Sequence, residues 1–202
     1  MTSIHKKISK EFWDERYQKG ETGWDVGYAT TPLVEYFSQL NNKHLKILIP
    51  GCGNGYEAEW LSSKGFTEIT VIDISHEALE RLREKNLPGL VLVQGDFFEH
   101  KGSYDLIVEQ TFFCALAPGL RKEYINKMYA LLKAGGKLIG VLFNREFEGG
   151  PPFGGSYNEY VHLFVPPFVI RCMEPCYNSI KPRKDSELFF IIEKPLFEKQ
   201  SD

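Results

Sequence analysis

The sequence has no uninterrupted apolar run long enough to span a membrane. Its opening residues, Met1-Thr2-Ser3-Ile4-His5-Lys6-Lys7, lack the apolar core of a secretory signal. The expected address is the cytoplasm. Cysteine is scarce: Cys52, Cys114, Cys172 and Cys176. Cys172 and Cys176 have tolerable spacing for metal ligands, but no second pair or histidine cluster accompanies them. Reduced cytosolic thiols and no metal are the expectation. Positive charge is not in excess either. Lys and Arg number 24 against 27 Asp and Glu, so the net charge of −3 gives no broad basic field for nucleic acid. There is no Ser-His-Asp set. His5, His44, His76 and His100 lie in loops or helix starts, and His162 falls on a late helix. No repeat, low-complexity stretch or domain linker interrupts the chain. A small-molecule partner and a monomer are expected, with no membrane.

What remains is 202 residues with ordinary globular composition, 43% hydrophobic and 25% charged. That length suits one domain, residues 1–202, with a sizeable core. Its most informative stretch is Ile47-Leu48-Ile49-Pro50-Gly51-Cys52-Gly53-Asn54-Gly55. It reads as a buried strand entering a glycine turn, with a helix from about Tyr56. Such a turn lets backbone N–H groups approach a nucleotide-like ligand. Two familiar nucleotide fingerprints are incomplete. The dinucleotide pattern needs a third glycine where Tyr56 stands, and the phosphate loop needs a Lys-Ser/Thr pair that is missing. G-x-G-x-G resembles instead the first motif of S-adenosylmethionine (SAM) dependent methyltransferases.

Around it the chain alternates helix and strand patterns. A helix over 8–18 stacks Trp13 and Tyr17 on one face, and Gly20 stops it. The loop 20–27 carries Trp24 between glycines. Residues 1–28 have two readings, a structural cap and a lid whose aromatic faces meet a cofactor. A sulfonium cation over such a face gains roughly 0.5–2 kcal/mol. Thr30-Thr31-Pro32 begins the next helix. Strands are expected near 45–50, 68–73, 90–93, 104–109, 137–143, 168–174 and 187–193, the last two adjacent and antiparallel. A helix bearing Leu120, Tyr124, Met128 and Leu131 on its core face is expected to end at Gly135-Gly136. The fold class is α/β, one doubly wound, mostly parallel seven-stranded sheet with an N-terminal aromatic lid.

Ligands of such sheets sit beyond the carboxyl ends of the strands, near the topological switch point. Asp73 ends the second strand, 22 residues after Gly51. It can accept from both ribose hydroxyls, or simply stabilise a helix entry. Asp96, after the third strand, can accept from an exocyclic adenine amine or serve as a turn residue. Phe97 can pack on the ring. Glu109 and Gln110, ending the fourth strand, are expected at the reacting end of the cofactor, with Phe112, Phe113 and Cys114 as a wall. Arg145 opens a Pro/Gly-rich loop, 144–155, that can cover a substrate. It is either an anion anchor or a solvated arginine. Lys181-Pro182-Arg183-Lys184 reads as a solvated turn.

Taken together, Trp13-x3-Tyr17-x2-Gly20-x-Thr22-x-Trp24-Asp25, Pro50-Gly51-Cys52-Gly53, Asp73-Ile74-Ser75, Asp96-Phe97, Phe112-Phe113-Cys114-Ala115, Gly150-Pro151-Pro152-Phe153 and Pro182-Arg183-Lys184 resemble, in order, the thiopurine S-methyltransferase family. The likeness covers about 11–194 and is nearest to the plant halide/thiol methyltransferases. That family is similar to this chain in lacking the acid that general class I methyltransferases carry at Ile49. The resemblance implies SAM contacts at Trp13, Tyr17, Trp24, Gly51, Asp73, Asp96 and Phe97, with Gly53, Ile74, Glu109 and Gln110 in the same cofactor set. Phe112, Phe113 and Arg145 are the expected substrate residues. The plant members favour Trp at Tyr17 and Tyr at Gln110, which bears on the substrate. The implied reaction is methyl transfer from SAM, giving S-adenosylhomocysteine, to a thiol, thiocyanate, halide or thiopurine. Two rivals stand: an O- or N-methyltransferase with Glu109 as base, and a non-catalytic SAM-binding module.

Overall fold

The computed structural model describes residues 8–196. The first part of the lid segment, 1–7, lies outside the described residues. Seven strands form one sheet: β1 (Ile47–Pro50), β2 (Ile69–Asp73), β3 (Leu90–Gln94), β4 (Tyr104–Gln110), β5 (Leu132–Phe143), β6 (Val169–Pro175) and β7 (Glu187–Glu193). Their spatial order is β3-β2-β1-β4-β5-β7-β6. The first five run parallel. β7 enters antiparallel between β5 and β6, as the last pair's pattern suggested. The chain leaves β1 toward β2 and later returns to β4 on the other side, so β1 and β4 flank the switch point.

The described residues form six α-helices: α1 (Lys10–Lys19), α2 (Thr31–Ser38), α3 (Tyr56–Ser63), α4 (His76–Arg83), α5 (Arg121–Leu131) and α6 (Tyr157–Phe164), of which α1 packs on α4 and α2 to α6 cover the two faces. Strand alternation divides the apolar residues between them. Leu106 and Val108 of β4 join Leu33, Phe37, Ala58, Leu61, Leu79 and Leu82 from α2, α3 and α4. Ile107 points the other way, onto Tyr124, Ile125 and Met128 of α5 and Phe164 of α6. Two apolar layers therefore sandwich the sheet, which is what a doubly wound fold requires.

Local signals set the helix starts. The Ser9 and Ser75 hydroxyls accept from the N–H groups of Phe12 and Ala78, capping α1 and α4. Gly20, at φ 69°, ends α1 in the left-handed conformation.

One boundary differs from the sequence expectation. α5 stops at Leu131 rather than at Gly135-Gly136, and Leu120 precedes it in a short 3-10 turn. The glycine pair instead sits within the extended segment. There the pairing jumps from Tyr104–Leu132 to Leu106–Lys137, so four residues, 133–136, bulge against Asp105 alone. Gly135 has φ 74°, and a side chain at Gly136 would meet the carbonyl oxygens of Lys133 and Tyr104. The glycines serve the bulge and not a helix cap.

Candidate functional site

A cavity of about 540 Å3 opens beyond the carboxyl ends of β1, β2, β3 and β4, within the usual size of a ligand pocket. Its floor is the turn after β1. Gly51, Gly53 and Gly55 all have positive φ, 58°, 53° and 70°. The space beside all three is already taken, that beside Gly55 by Leu82. A Cβ at Gly51 would enter the Phe112 ring, and one at Gly53 would crowd the Tyr17 hydroxyl. This backbone cradle exists only because side chains are absent.

Asp73 stands at one end of the cavity. Its Oδ2 accepts from the N–H of Gly53 at 3.0 Å and its Oδ1 from the N–H of Ser75 at 2.9 Å. Burial pushes its carboxyl up from the ordinary value, and the N–H groups of Ser75, Gly53 and Ile74 pull it back. The acid thus both ties the β1 and β2 turns together and faces the cavity. Ile74, Asp96 and Phe97 line the same region. Asp96 Oδ1 accepts from Phe98 N–H at 2.9 Å. Phe97 is largely core, packed edge-on to Phe112 at 5.1 Å.

The N-terminal segment roofs this space. Trp24 meets Trp13 edge-on at 5.4 Å and Tyr17 at 5.8 Å, and all three line the cavity. α1 is fastened to α4 at both of its ends. Asp14 Oδ1 accepts from the Ser75 hydroxyl at 2.7 Å, and Arg81 donates to the Tyr17 carbonyl at 2.6 Å. Asp25, next to Trp24, accepts from the Asn54 amide and from the Tyr56 hydroxyl. The roof is therefore tied to the glycine turn itself.

The other end of the cavity is aromatic and cationic, lined by Gln110, Phe112, Phe143, Phe147 and Pro152 with Arg145 and Arg183. Gln110 to Phe112 is held in a turn where Thr111 takes φ 59°. A β-branched residue there stores roughly 1–3 kcal/mol, as functional turns often do. Arg145 is exposed at the rim, its guanidinium 4.7 Å over the Phe147 ring. Arg183 corrects the sequence reading. It is only 8% exposed, whereas Lys181 and Lys184 are solvated. Its guanidinium donates to the Trp24 carbonyl at 2.8 Å and pairs with Glu187 at 3.4 Å. It joins the β6–β7 connection to the roof.

Two expected residues are not in the cavity. Glu109 and Gln110 are neighbours on a strand and must point to opposite faces. Gln110 faces α2 and the cavity; Glu109 is 0% exposed on the α5 side. Its Oε1 accepts from the N–H groups of Phe112 and Phe113 at 2.8 and 2.9 Å, and its Oε2 from the Tyr124 hydroxyl at 2.7 Å. Burial raises its pKa to about 7. Glu109 builds the wall from behind and does not reach the reacting end. Phe113 likewise packs into the core against Tyr124 and Tyr160. Phe112 alone of that pair lines the cavity.

Residues the sequence reading passed over complete the site: Asn54, Thr30, Glu57 and, as a buried group, Arg183. Glu57 was legible in principle. An acid in the first turn of the helix after a glycine turn points back toward that turn. Among the described residues no helix is long and apolar enough to cross a membrane, and no group of three or more His, Cys, Asp or Glu side chains is placed to hold a metal.

Comparison with known proteins agrees with this geometry. The family model for thiopurine S-methyltransferase matches residues 8–196. A probable thiol methyltransferase 2 of Arabidopsis thaliana is 35% identical, over 76% of this chain and 71% of that protein. Thiocyanate methyltransferase 1 of Brassica oleracea is 32% identical, over 91% and 85%. Among solved structures, a 1,6-didemethyltoxoflavin N1-methyltransferase of Burkholderia thailandensis, with S-adenosylhomocysteine bound, superposes with a TM-score of 0.73. At 16% identity, over 92% of this chain and 87% of that one, it shares the fold.

Proposed function

This chain belongs to the thiopurine S-methyltransferase family of SAM-dependent methyltransferases, and on that premise we propose that it methylates a small, soft, anionic nucleophile such as thiocyanate, a halide or a thiolate. The observation that carries the reading is the buried Arg183 at the aromatic end of the cavity, with Arg145 at its rim. An aromatic subsite walled by Phe112, Phe143 and Phe147, with Arg145 at its rim and Arg183 paired to Glu187 at its side, suits a polarizable anion. The names of the plant relatives point the same way.

The residues present fit SAM. The glycine cradle leaves room for close backbone approach, and a Cβ at Gly51 would strike the Phe112 ring that walls the cavity. Asp73 offers carboxylate lone pairs for a ribose, and Asp96 an acceptor for the adenine amine. Trp13, Tyr17 and Trp24 roof the cavity and offer aromatic faces to a cation. When bound, SAM supplies a sulfonium methyl that an anion takes by in-line displacement. The side chains then have three tasks. Asp73, the cradle and the roof orient the donor. Gln110 and Arg183 orient the acceptor. The roof and the aromatic wall exclude water, which removes hydration from the anion and aligns the two reactants. Glu109, sealed behind the wall, is no base for an O- or N-acceptor. We further assign the enzyme to the cytoplasm, as a metal-independent monomer. Four free cysteines suit the reducing compartment named.

Glu57, the carboxyl beside the acceptor end, is taken up by the N–H and hydroxyl of Thr30 and is not free to take a thiol's proton, so a thiol must arrive ionised. Activity toward simple thiols is then expected to climb roughly tenfold between pH 7 and 8.5, following the thiolate of a group with pKa of about 8.5. Thiocyanate, an anion throughout, should show no such climb. Initial rates for both substrates over that range check it; a parallel climb would mean that an enzyme group, not the substrate, is losing the proton.

A further inference from the structure

Three polar side chains from three elements meet beside the acceptor end: Thr30 before α2, Glu57 in the first turn of α3 and Gln110 at the end of β4. The Thr30 N–H donates to Glu57 Oε1 at 3.0 Å. The Thr30 hydroxyl lies 3.2 Å from the same Oε1 and 3.3 Å from Gln110 Oε1. Three oxygens in a row need two protons between them, and a hydroxyl supplies one. Either Glu57 brings the second proton, or Gln110 turns its amide and gives its NH2 to Thr30. The two arrangements present opposite ends of Gln110 to the cavity. With the carbonyl on Thr30, the free NH2 can donate to an anion. With the NH2 on Thr30, a carbonyl oxygen meets the anion and repels it.

We propose that Glu57 and Thr30 are positioning residues for the Gln110 amide, and that a protonated Glu57 turns its NH2 toward an anionic acceptor. The proposal rests on the soft-anion reading above. Glu57 is deeply buried, and burial moves its pKa upward, keeping the proton at higher pH than an exposed glutamate would. The charged or titratable groups facing it are Arg183, from the β6–β7 connection, which favours ionisation, and Cys52 in the glycine turn. Glu187 of β7 pairs with Arg183 and softens its pull. Glu57 thus keeps its proton to higher pH than an exposed glutamate, and acceptor affinity should change as that proton is lost.

The test is thiocyanate binding to the S-adenosylhomocysteine complex by titration calorimetry from pH 5.5 to 8, with methyl transfer from SAM measured in parallel. In the wild type Kd and KM for thiocyanate should rise about tenfold with pH, the worth of one charge-assisted hydrogen bond, while kcat holds. Glu57→Gln must keep its amide oxygen on the Thr30 N–H and so can only accept from the Thr30 hydroxyl at every pH; it should give a flat profile at the weak level. Thr30→Val, which breaks the chain between Glu57 and Gln110, should be flat at the weak level. A Glu57→Gln profile that follows the wild type, a flat wild type, or no thiocyanate binding at any pH would overturn the proposal. Binding with the expected profiles but no methyl transfer would leave it standing and remove the soft-nucleophile reading instead. Methyl transfer with identical profiles in all three proteins would do the reverse.

Discussion

Asp73→Ala will weaken SAM binding by roughly 1.5–3 kcal/mol, about ten- to a hundredfold in Kd, the range for hydrogen bonds to a charged group. The carboxylate faces the cavity at the end of β2, where this kind of sheet holds a ribose. The variant also releases the N–H groups of Gly53 and Ser75, so part of the loss arises in the turn. Asp73→Asn separates the two contributions. Its amide oxygen can still hold one N–H, while the charge offered to the ribose is gone. Calorimetric titration with SAM, alongside thermal melts, measures both. Unchanged affinity in a folded Asp73→Ala protein would remove Asp73 from the site.

The second large effect lies at Glu109 and concerns stability. Glu109→Ala leaves the N–H groups of Phe112 and Phe113 and the Tyr124 hydroxyl without their acceptor, in a place water does not reach. Each orphaned group costs about 1–3 kcal/mol, so the expected loss is roughly 4 kcal/mol, a large share of a domain's stability. Glu109→Gln keeps an oxygen for the two N–H groups and gives Tyr124 a donor, so it should fold and methylate normally. The pH dependence separates them further. The pKa of about 7 lies above the ordinary 4.5, so between those values the folded protein holds a proton that the unfolded chain has released. Stability from this group is fully present below about pH 4.5 and is lost as pH rises through 7, by about 3 kcal/mol in all. Denaturant unfolding should therefore show wild-type stability falling across that window relative to Glu109→Gln. An inactive but stable Glu109→Gln enzyme would instead restore Glu109 as a base.

Much of this is legible in the sequence itself. The strand Ile47–Pro50 is apolar on both faces because helices cover both, and its glycines announce the turn. Asp73 was placed by spacing alone, since the strand–helix–strand unit has a nearly fixed length. The N-terminal aromatics, four residues apart on one helix, declared a shared face. Other parts depended on tertiary contacts. Arg183 looked like one member of a basic turn, and only the crossing of the β6–β7 connection over Trp24 buries it. Glu109 is expected in the cavity because it ends β4 at the switch point, and Phe113 because it follows there; strand alternation sends Glu109 to the far side. Thr30, Glu57 and Gln110 are separated by 27 and 80 residues, so no local pattern joins them. The glycine pair at 135–136 carried a true signal of unusual backbone, but the same signal serves a bulge as well as a helix end.

The most direct measurement of the central claim is transfer of a labelled methyl group from SAM to a panel of acceptors: iodide, thiocyanate, hydrosulfide, small thiols, thiopurines, and neutral alcohols and amines of matching size. The account predicts labelled product from the soft anions and thiolates, S-adenosylhomocysteine formed in equal amount, and little or nothing from the alcohols and amines. Activity confined to the neutral hydroxyl or amine acceptors would contradict it.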